Sequence, residues 1–370
     1  MNTVKVPFSV KAAIICVGVL ALMTMLYEAR NIIVPIIYAT IFAIAMTPVV
    51  SFFEQKKISR VGAIALTILL VFVILVTTCV LLSSQMATFA DSAPQLESKF
   101  YELLNSTITW ASGMFHVSTT QIKSYISEAQ TNMLHNSSSA IGATLSTVTN
   151  MVVVLTLIPV YIFMILFYQP ILVEFIRRIF GTENIDQVNK ILTASKTIIQ
   201  KYLGALLIEA AIMAALNSIG LLAIGIQSAI IIGIIGAIIN IIPYIGGIIA
   251  VLLPMLMALL TKPSPSYCLL VLGVYIIIQF IDNHYIIPKI VASKVRINAL
   301  VSIIVILAGG ALWGVPGMFL SIPLIAILKI ICDQIEVLQP WGFLLGDTMP
   351  AMSIFKIKIK PKKPKVKVEQ

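Results

Sequence analysis

Residues 279–329 read QFIDNHYIIPKIVASKVRINALVSIIVILAGGALWGVPGMFLSIPLIAILK. A polar cluster of Gln279, Asp282, Asn283 and His284 closes one apolar run. A short basic loop with Lys289, Lys294 and Arg296 follows, and a second apolar run extends from Ala299 to Ile331. As one straight helix, that second run would be about 50 Å long, against about 30 Å of hydrocarbon in a bilayer. Gly309, Gly310, Gly314, Pro316 and Gly317 interrupt it near its middle. Glycine turns freely and proline lacks a backbone donor, so the run divides into two pieces of about 12 to 15 residues, each about 20 Å long. The expected structure is a helical hairpin that enters the membrane and turns back. Non-helical backbone survives at that depth only under protein or beside water, because lipid satisfies no free amide or carbonyl. The other reading is one long, tilted, kinked helix, since Gly and Pro are frequent in membrane helices.

Composition agrees with a membrane setting. Hydrophobic residues make up 59% of 370, charged residues 11%, and the mean hydropathy is +1.03. Soluble domains carry about a quarter charged residues, so this is an all-α polytopic membrane protein. The net charge of +10 is concentrated: residues 356–370 hold seven Lys and one Glu, leaving a modest excess elsewhere. No basic face exists outside loops beside spans, which argues against nucleic acid as a partner. The cysteines at 16, 79, 268 and 332 lie singly in or beside apolar segments, with neither disulfide nor metal spacing. No metal or cofactor site is expected. The apolar run after Lys5 and Lys11 has no small-residue cleavage site and reads as a retained first helix.

From the N-terminus, spans are expected over Phe8–Tyr27, Ile32–Phe53 and Val61–Leu82, with a tight turn at 28–31. Ser83–Thr147 is rich in Ser, Thr, Asn and Gln and contains Asp91, Glu97, Glu102 and Glu128. Its apolar residues recur at helical spacing, which predicts a small extracytoplasmic helical insert serving as a gate, a docking surface or a solvated cap. Val148–Tyr168 crosses back. Gln169–Lys201 carries Arg177, Arg178, Lys190, Lys196 and Lys201 beside helical apolar stripes, and reads as an amphipathic stretch on the membrane surface or a cytoplasmic linker.

Tyr202–Ile224 is the next span and holds Glu209, an acid well inside an apolar segment. A carboxylate at that depth costs several kcal/mol unless paired, protonated or wet, so Glu209 is a candidate for coupling or gating, or for a structural hydrogen bond. Ser228–Leu260 is a second interrupted run, broken at Asn240, Pro243, Gly246 and Gly247. Tyr267–Ile287 is the last full span, and Pro288 follows it. If both interrupted runs are hairpins, six full crossings remain. Loops 54–60, 169–201 and 288–298 and both termini then face the cytoplasm, as the Lys/Arg distribution favours. Two broken segments of this kind are a sequence pointer to a transporter site near the midplane. The resulting division is 1–82 for N-terminal helices, 83–147 for the insert, and 148–201 for a span with its amphipathic segment. A transport region occupies 202–335 and a basic tail, suited to anionic lipid, 336–370.

These residues resemble the autoinducer-2 exporter family of bacterial inner-membrane proteins. The most specific pieces are Asn240-Ile-Ile-Pro243-Tyr-Ile-Gly246, Gln279 through Asp282-Asn283 to Pro288, and Gly310-Ala-Leu-Trp-Gly314-Val-Pro-Gly317 leading to Pro323. At Ala299 the chain departs from a Pro frequent in the family, while Asn298 keeps the polar position before it. The resemblance implies export of a small molecule across the bacterial inner membrane by a homo-oligomer, with a pentamer as one number it suggests. Some relatives exchange Na⁺ or Li⁺ for H⁺.

The function expected is a secondary transporter exporting a small polar, autoinducer-2-like molecule. Gln279, Asp282, Asn283 and Asn298, with Asn240 and Glu209, would line the path. Asp282 and Glu209 would carry an ion or proton. No nucleotide-binding Gly-rich loop with Lys-Ser/Thr occurs, nor a His-Glu-x-x-His or Gly-x-Ser-x-Gly motif, so an enzyme is not expected. Alternatives are a Na⁺(Li⁺)/H⁺ antiporter and a non-transporting membrane scaffold.

Overall fold

The computed structural model describes residues 7–91, scattered positions between 98 and 114, 156–242 and 246–347. Most of the extracytoplasmic insert, Pro243 and the lysine tail therefore lie outside the described residues.

Every described element is helical. Helix α1 (Phe8–Glu28) joins α2 (Arg30–Gln55) through Ala29 alone. Helix α3 (Arg60–Asp91) follows the turn at 56–59. It runs past the boundary expected at residue 83, so no break in the helix separates the third span from the start of the insert. Ala39, Ala43 and Ala63 are fully enclosed between α2 and α3. Such small side chains let membrane helices approach until dispersion contacts hold them. Helix α4 (Thr156–Phe180) packs Ile162 and Leu166 into the same core, and Arg60 Nη2 donates to the Leu166 carbonyl at 2.8 Å.

The segment 169–201 is not a separate surface helix. Helix α4 runs unbroken to Phe180, the chain reverses at Gly181 and the 3₁₀ turn Thr182–Asn184, and α5 (Ile185–Ile224) begins at once. The basic residues read as a membrane-surface stretch lie on these two long helices, Arg177 and Arg178 near the end of one and Lys190, Lys196 and Lys201 in the first half of the other. Arg177 Nε donates to Asn189 Oδ1 across that turn at 2.9 Å. Gly225 closes α5 in the left-handed conformation (φ 75°), with the Ile226 amide donating to the Leu221 carbonyl at 3.0 Å.

Both interrupted runs are hairpins. In the first, α6 (Ala229–Asn240) and α7 (Gly246–Thr261) lie side by side. A side-chain carbon on Gly236 would stand 3.7 Å from Ala250 Cβ. In a straight helix, residues fourteen apart are about 21 Å distant. Helix α8 (Ser266–Ile281) follows. It does not end at the polar cluster: the chain stays helical through a π-helical stretch, Asp282–Ala292, that includes Pro288. Pro288 removes a donor in mid-helix, and the wider π register absorbs the loss. The basic loop expected over 288–298 is thus helical as far as Val295.

The second hairpin is α9 (Ala299–Gln334), folded at Gly314, where φ is 67° and ψ is −148°. Ser321 Oγ lies 2.8 Å from the Val305 carbonyl oxygen and 2.7 Å from the Gly317 carbonyl oxygen, its single proton shared between the two. Residues sixteen apart in a straight helix would be about 24 Å distant, so the single kinked helix is excluded. Of the residues read as breaks, Gly314 alone leaves helical geometry. Gly309, Gly310, Pro316 and Gly317 lie inside the arms, where a carbon on Gly309 would come within 2.6 Å of the Gly317 carbonyl oxygen. The arms cover 299–313 and 315–334, so the second is about 30 Å long, longer than the spacing predicts.

Seven described helices are long and apolar enough to cross a membrane; with α9 folded in two, six remain as single crossings. The tip of the second hairpin is tied to the N-terminal helices. Trp313 Nε1 donates to the Leu26 carbonyl at 3.0 Å, Tyr38 donates to the Pro316 carbonyl at 3.2 Å, and Tyr38 stacks on Phe319. After α9, a 3₁₀ turn and α10 (Gln339–Leu345) return the chain to the loop before α9. There the Asn298 amide donates to the Leu345 carbonyl at 3.0 Å and Asp347 to Arg296 at 3.3 Å. Residues 336–347 are therefore part of the packed body, and the basic tail begins beyond them.

Candidate functional site

Three helices bring polar residues together in the C-terminal half. Asn240 ends α6, Gln279 lies in the last turn of α8, and Asp282 opens the π-helical stretch. Gln279 Nε2 donates to Asn240 Oδ1 at 3.1 Å, and Asn240 Nδ2 donates to Asp282 Oδ2 at 2.9 Å. The direction of this chain follows from the charge, since an ionised carboxylate only accepts and the amide must turn its NH₂ toward it. Gly247, the second residue of α7, belongs to the same contact: a side-chain carbon there would stand 2.6 Å from the Gln279 amide carbon. The first hairpin is thus held against α8 by one missing side chain and two amide hydrogen bonds.

Asp282 is 1% exposed and its Oδ1 has no hydrogen-bond partner among the described residues. Glu209, 6% exposed, is on α5, the helix that packs against the π-helical stretch Asp282–Ala292. The ion pairs among the described residues are Glu174 with Arg177 and Arg178, and Lys329 with Asp333. None of them reaches Asp282 or Glu209. A buried carboxylate without a basic partner among the described residues is costly in a medium that screens poorly.

The other residues expected on the path stand apart. Asn283 and His284 are exposed, and His284 Nδ1 bonds the Phe280 carbonyl at 3.0 Å within its own helix. Asn298 caps α9, its Oδ1 accepting from the Leu300 amide at 2.9 Å. An N-cap of this kind contributes about 1 kcal/mol. Asn298→Ala is therefore expected to lower stability by about that amount, and Asn298→Asp to restore it. Thermal unfolding of the purified protein reads both. A loss with Asn298→Asp as large as with Ala would contradict the capping role.

Two residues were missed by the sequence reading. Asn217 on α5 is 1% exposed and Tyr275 on α8 is 2% exposed; Asn217 Oδ1 and Tyr275 OH have no partner among the described residues. An unpaired buried polar atom costs about 1–3 kcal/mol. Their signal was periodicity: Asn217 lies eight residues after Glu209, and Tyr275 seven before Asp282. Both spacings return to one helix face.

The sequence profile of AI-2E family transporters matches residues 14–336. YueF of Bacillus subtilis is 26% identical over 80% of this chain and 82% of its own length. MT0215 of Mycobacterium tuberculosis is 24% identical over 85% of each. The AI-2 transport protein TqsA of Escherichia coli is 27% identical over 86% of this chain and 90% of its own.

Proposed function

The chain belongs to the AI-2E family of transporters, and from that premise we propose a secondary transporter that exports a small polar solute across the bacterial inner membrane. The name of the relative TqsA suggests a molecule of the AI-2 kind as cargo. One observation carries the reading: Asp282, Asn240 and Gln279 form a hydrogen-bonded group inside apolar helices, and Asp282 Oδ1 has no partner among the described residues. A group that only fastened helices together would leave no acceptor spare at that cost. The first hairpin supplies Asn240 and Gly247 to it, and the chain bends beside it. Interrupted helices at such a place present backbone polar groups to a solute.

A second reading has its own support. The buried carboxylates of Asp282 and Glu209, without a basic partner among the described residues, suit exchange of Na⁺ or Li⁺ for H⁺, because hard cations prefer oxygen ligands. On either reading the termini and the loops at 54–60 and 181–184 face the cytoplasm, the lysine tail rests on anionic lipid, and the working unit is a homo-oligomer, a pentamer on the family resemblance.

Purified protein in sealed proteoliposomes tests both readings with a panel of labelled polar metabolites and with Na⁺ or Li⁺ pulses against an imposed pH gradient. Flux of an uncharged solute supports the exporter. Collapse of the gradient on cation addition supports the antiporter. Folded protein that passes neither would leave a membrane scaffold as the better reading.

A further inference from the structure

Two of the helix prolines, in the first half of the chain, each leave a carbonyl without its usual donor. In an α-helix the carbonyl of one residue accepts from the amide four residues later, and proline has no amide hydrogen to give. Pro48 inside α2 thus frees the Ile44 carbonyl, and Pro170 inside α4 frees the Leu166 carbonyl. Lipid satisfies neither, so the donor has to come from neighbouring protein or from water.

Both freed carbonyls are taken by a side chain of another helix. Gln200 Nε2 of α5 donates to the Ile44 carbonyl at 2.8 Å. Arg60 Nη2, from the first residue of α3, donates to the Leu166 carbonyl at 2.8 Å. In each pair the acceptor stands four residues before a proline, so the bond replaces the one that the ring removed. The clasp at Ile44 also bears on how α5 is turned. Glu209 lies nine residues after Gln200, about 14 Å along the helix and about two and a half turns round it. With Gln200 fastened to α2, Glu209 is therefore on the opposite side of α5. That helix packs against both α2 and the π-helical stretch that opens with Asp282.

We propose that Pro48 and Pro170 are sockets, and that Gln200 and Arg60 are the positioning residues that fill them. Each proline withdraws a bond from its own helix, and a distant side chain restores it as a bond between helices. The Ile44–Gln200 clasp fastens the N-terminal helices to α5 and sets the rotation that carries Glu209. The Leu166–Arg60 clasp fastens α4 to the start of α3. Neither depends on what the chain transports.

Double-mutant cycles on the full-length protein, read by thermal unfolding, test the clasps. Gln200→Met and Arg60→Met remove the donors and keep a long, unbranched side chain. Each is expected to lower the melting temperature, because a carbonyl among the helices is left unpaired. Pro48→Ala returns an amide hydrogen to the Ile44 carbonyl, and Pro170→Ala returns one to Leu166. In those backgrounds the loss from the matching Met substitution should fall to less than half. Crossed combinations, Pro48→Ala with Arg60→Met and Pro170→Ala with Gln200→Met, share no bond, and there the full loss should remain. Matched losses as large as the crossed ones would overturn the proposal, since Gln200 and Arg60 would then act without the prolines. If Gln200→Met alone gives no folded protein, recovery in Pro48→Ala supports the clasp and continued failure refutes it. A cryo-EM density map of the wild type gives an independent readout. Gln200 on the Ile44 carbonyl and Arg60 on the Leu166 carbonyl are expected; side chains turned elsewhere refute the proposal.

Discussion

Asp282→Asn is expected to lower transport by at least about tenfold, a barrier increase of about 1.4 kcal/mol, while the protein stays folded. The substitution keeps shape and an acceptor for Asn240 Nδ2, so the bond at 2.9 Å can persist. What it removes is the charge, and with it the capacity to hold a proton or cation. Burial without a basic partner means that charge contributes little to stability, so unfolding should shift less than flux. Initial rates in proteoliposomes, normalised to folded protein by size exclusion, provide the measurement. Gly273→Ala is the control, because a carbon added there meets nothing within 4 Å. Wild-type rates in Asp282→Asn would remove Asp282 from the mechanism.

Gly317→Val should have the largest effect on folding. The hairpin arms meet backbone to backbone at Gly309 and Gly317, and a carbon on Gly317 falls on the Gly309 carbonyl, 2.7 Å from its carbon atom. A flexible side chain could yield; two helix backbones held by Ser321 cannot move apart without losing its bond to the Val305 carbonyl. Overpacking typically costs about 1–3 kcal/mol, and backbone-to-backbone contact places this site at the upper end. The expected outcome is a lower yield of monodisperse protein and a melting temperature well below that of Gly273→Ala. A Gly317→Val protein as stable as the wild type would mean that the arms do not pack as described. Because the hairpin tip is bonded to Leu26 and Tyr38, separation of the arms should also loosen α1.

Much of the fold was legible along the chain, for reasons particular to membranes. Apolar runs have to match a fixed hydrocarbon thickness, so the runs at 228–260 and 299–331 were too long to cross once and too interrupted to stay straight. Both are hairpins. The boundaries drawn from charge and composition fared less well. Residues 169–201 looked like a surface helix because basic residues cluster there, yet they belong to two long helices, Thr156–Phe180 and Ile185–Ile224, joined by a short turn. The π-helical continuation past Asp282 was hidden because Pro288 and the polar residues before it usually signal a helix end. Pro243 and most of the insert lie outside the described residues.

The candidate site was legible in its acids and not in its geometry. Asp282, Glu209, Asn240 and Gln279 stand out as polar residues in apolar sequence, and any such residue must find a partner or a purpose in lipid. Which of them meet was decided by packing: Asn240 and Asp282 are 42 positions apart and touch because Gly247 lets α7 close on Gln279. Asn283 and Asn298, equally polar in the sequence, face away or cap a helix. Hydrophobic run length and its glycine and proline interruptions were enough to establish a helical membrane protein with two hairpins, since the bilayer imposes its thickness locally on each segment. The site required the tertiary structure, because a contact between distant helices depends on rotation and approach, which one-dimensional periodicity does not encode.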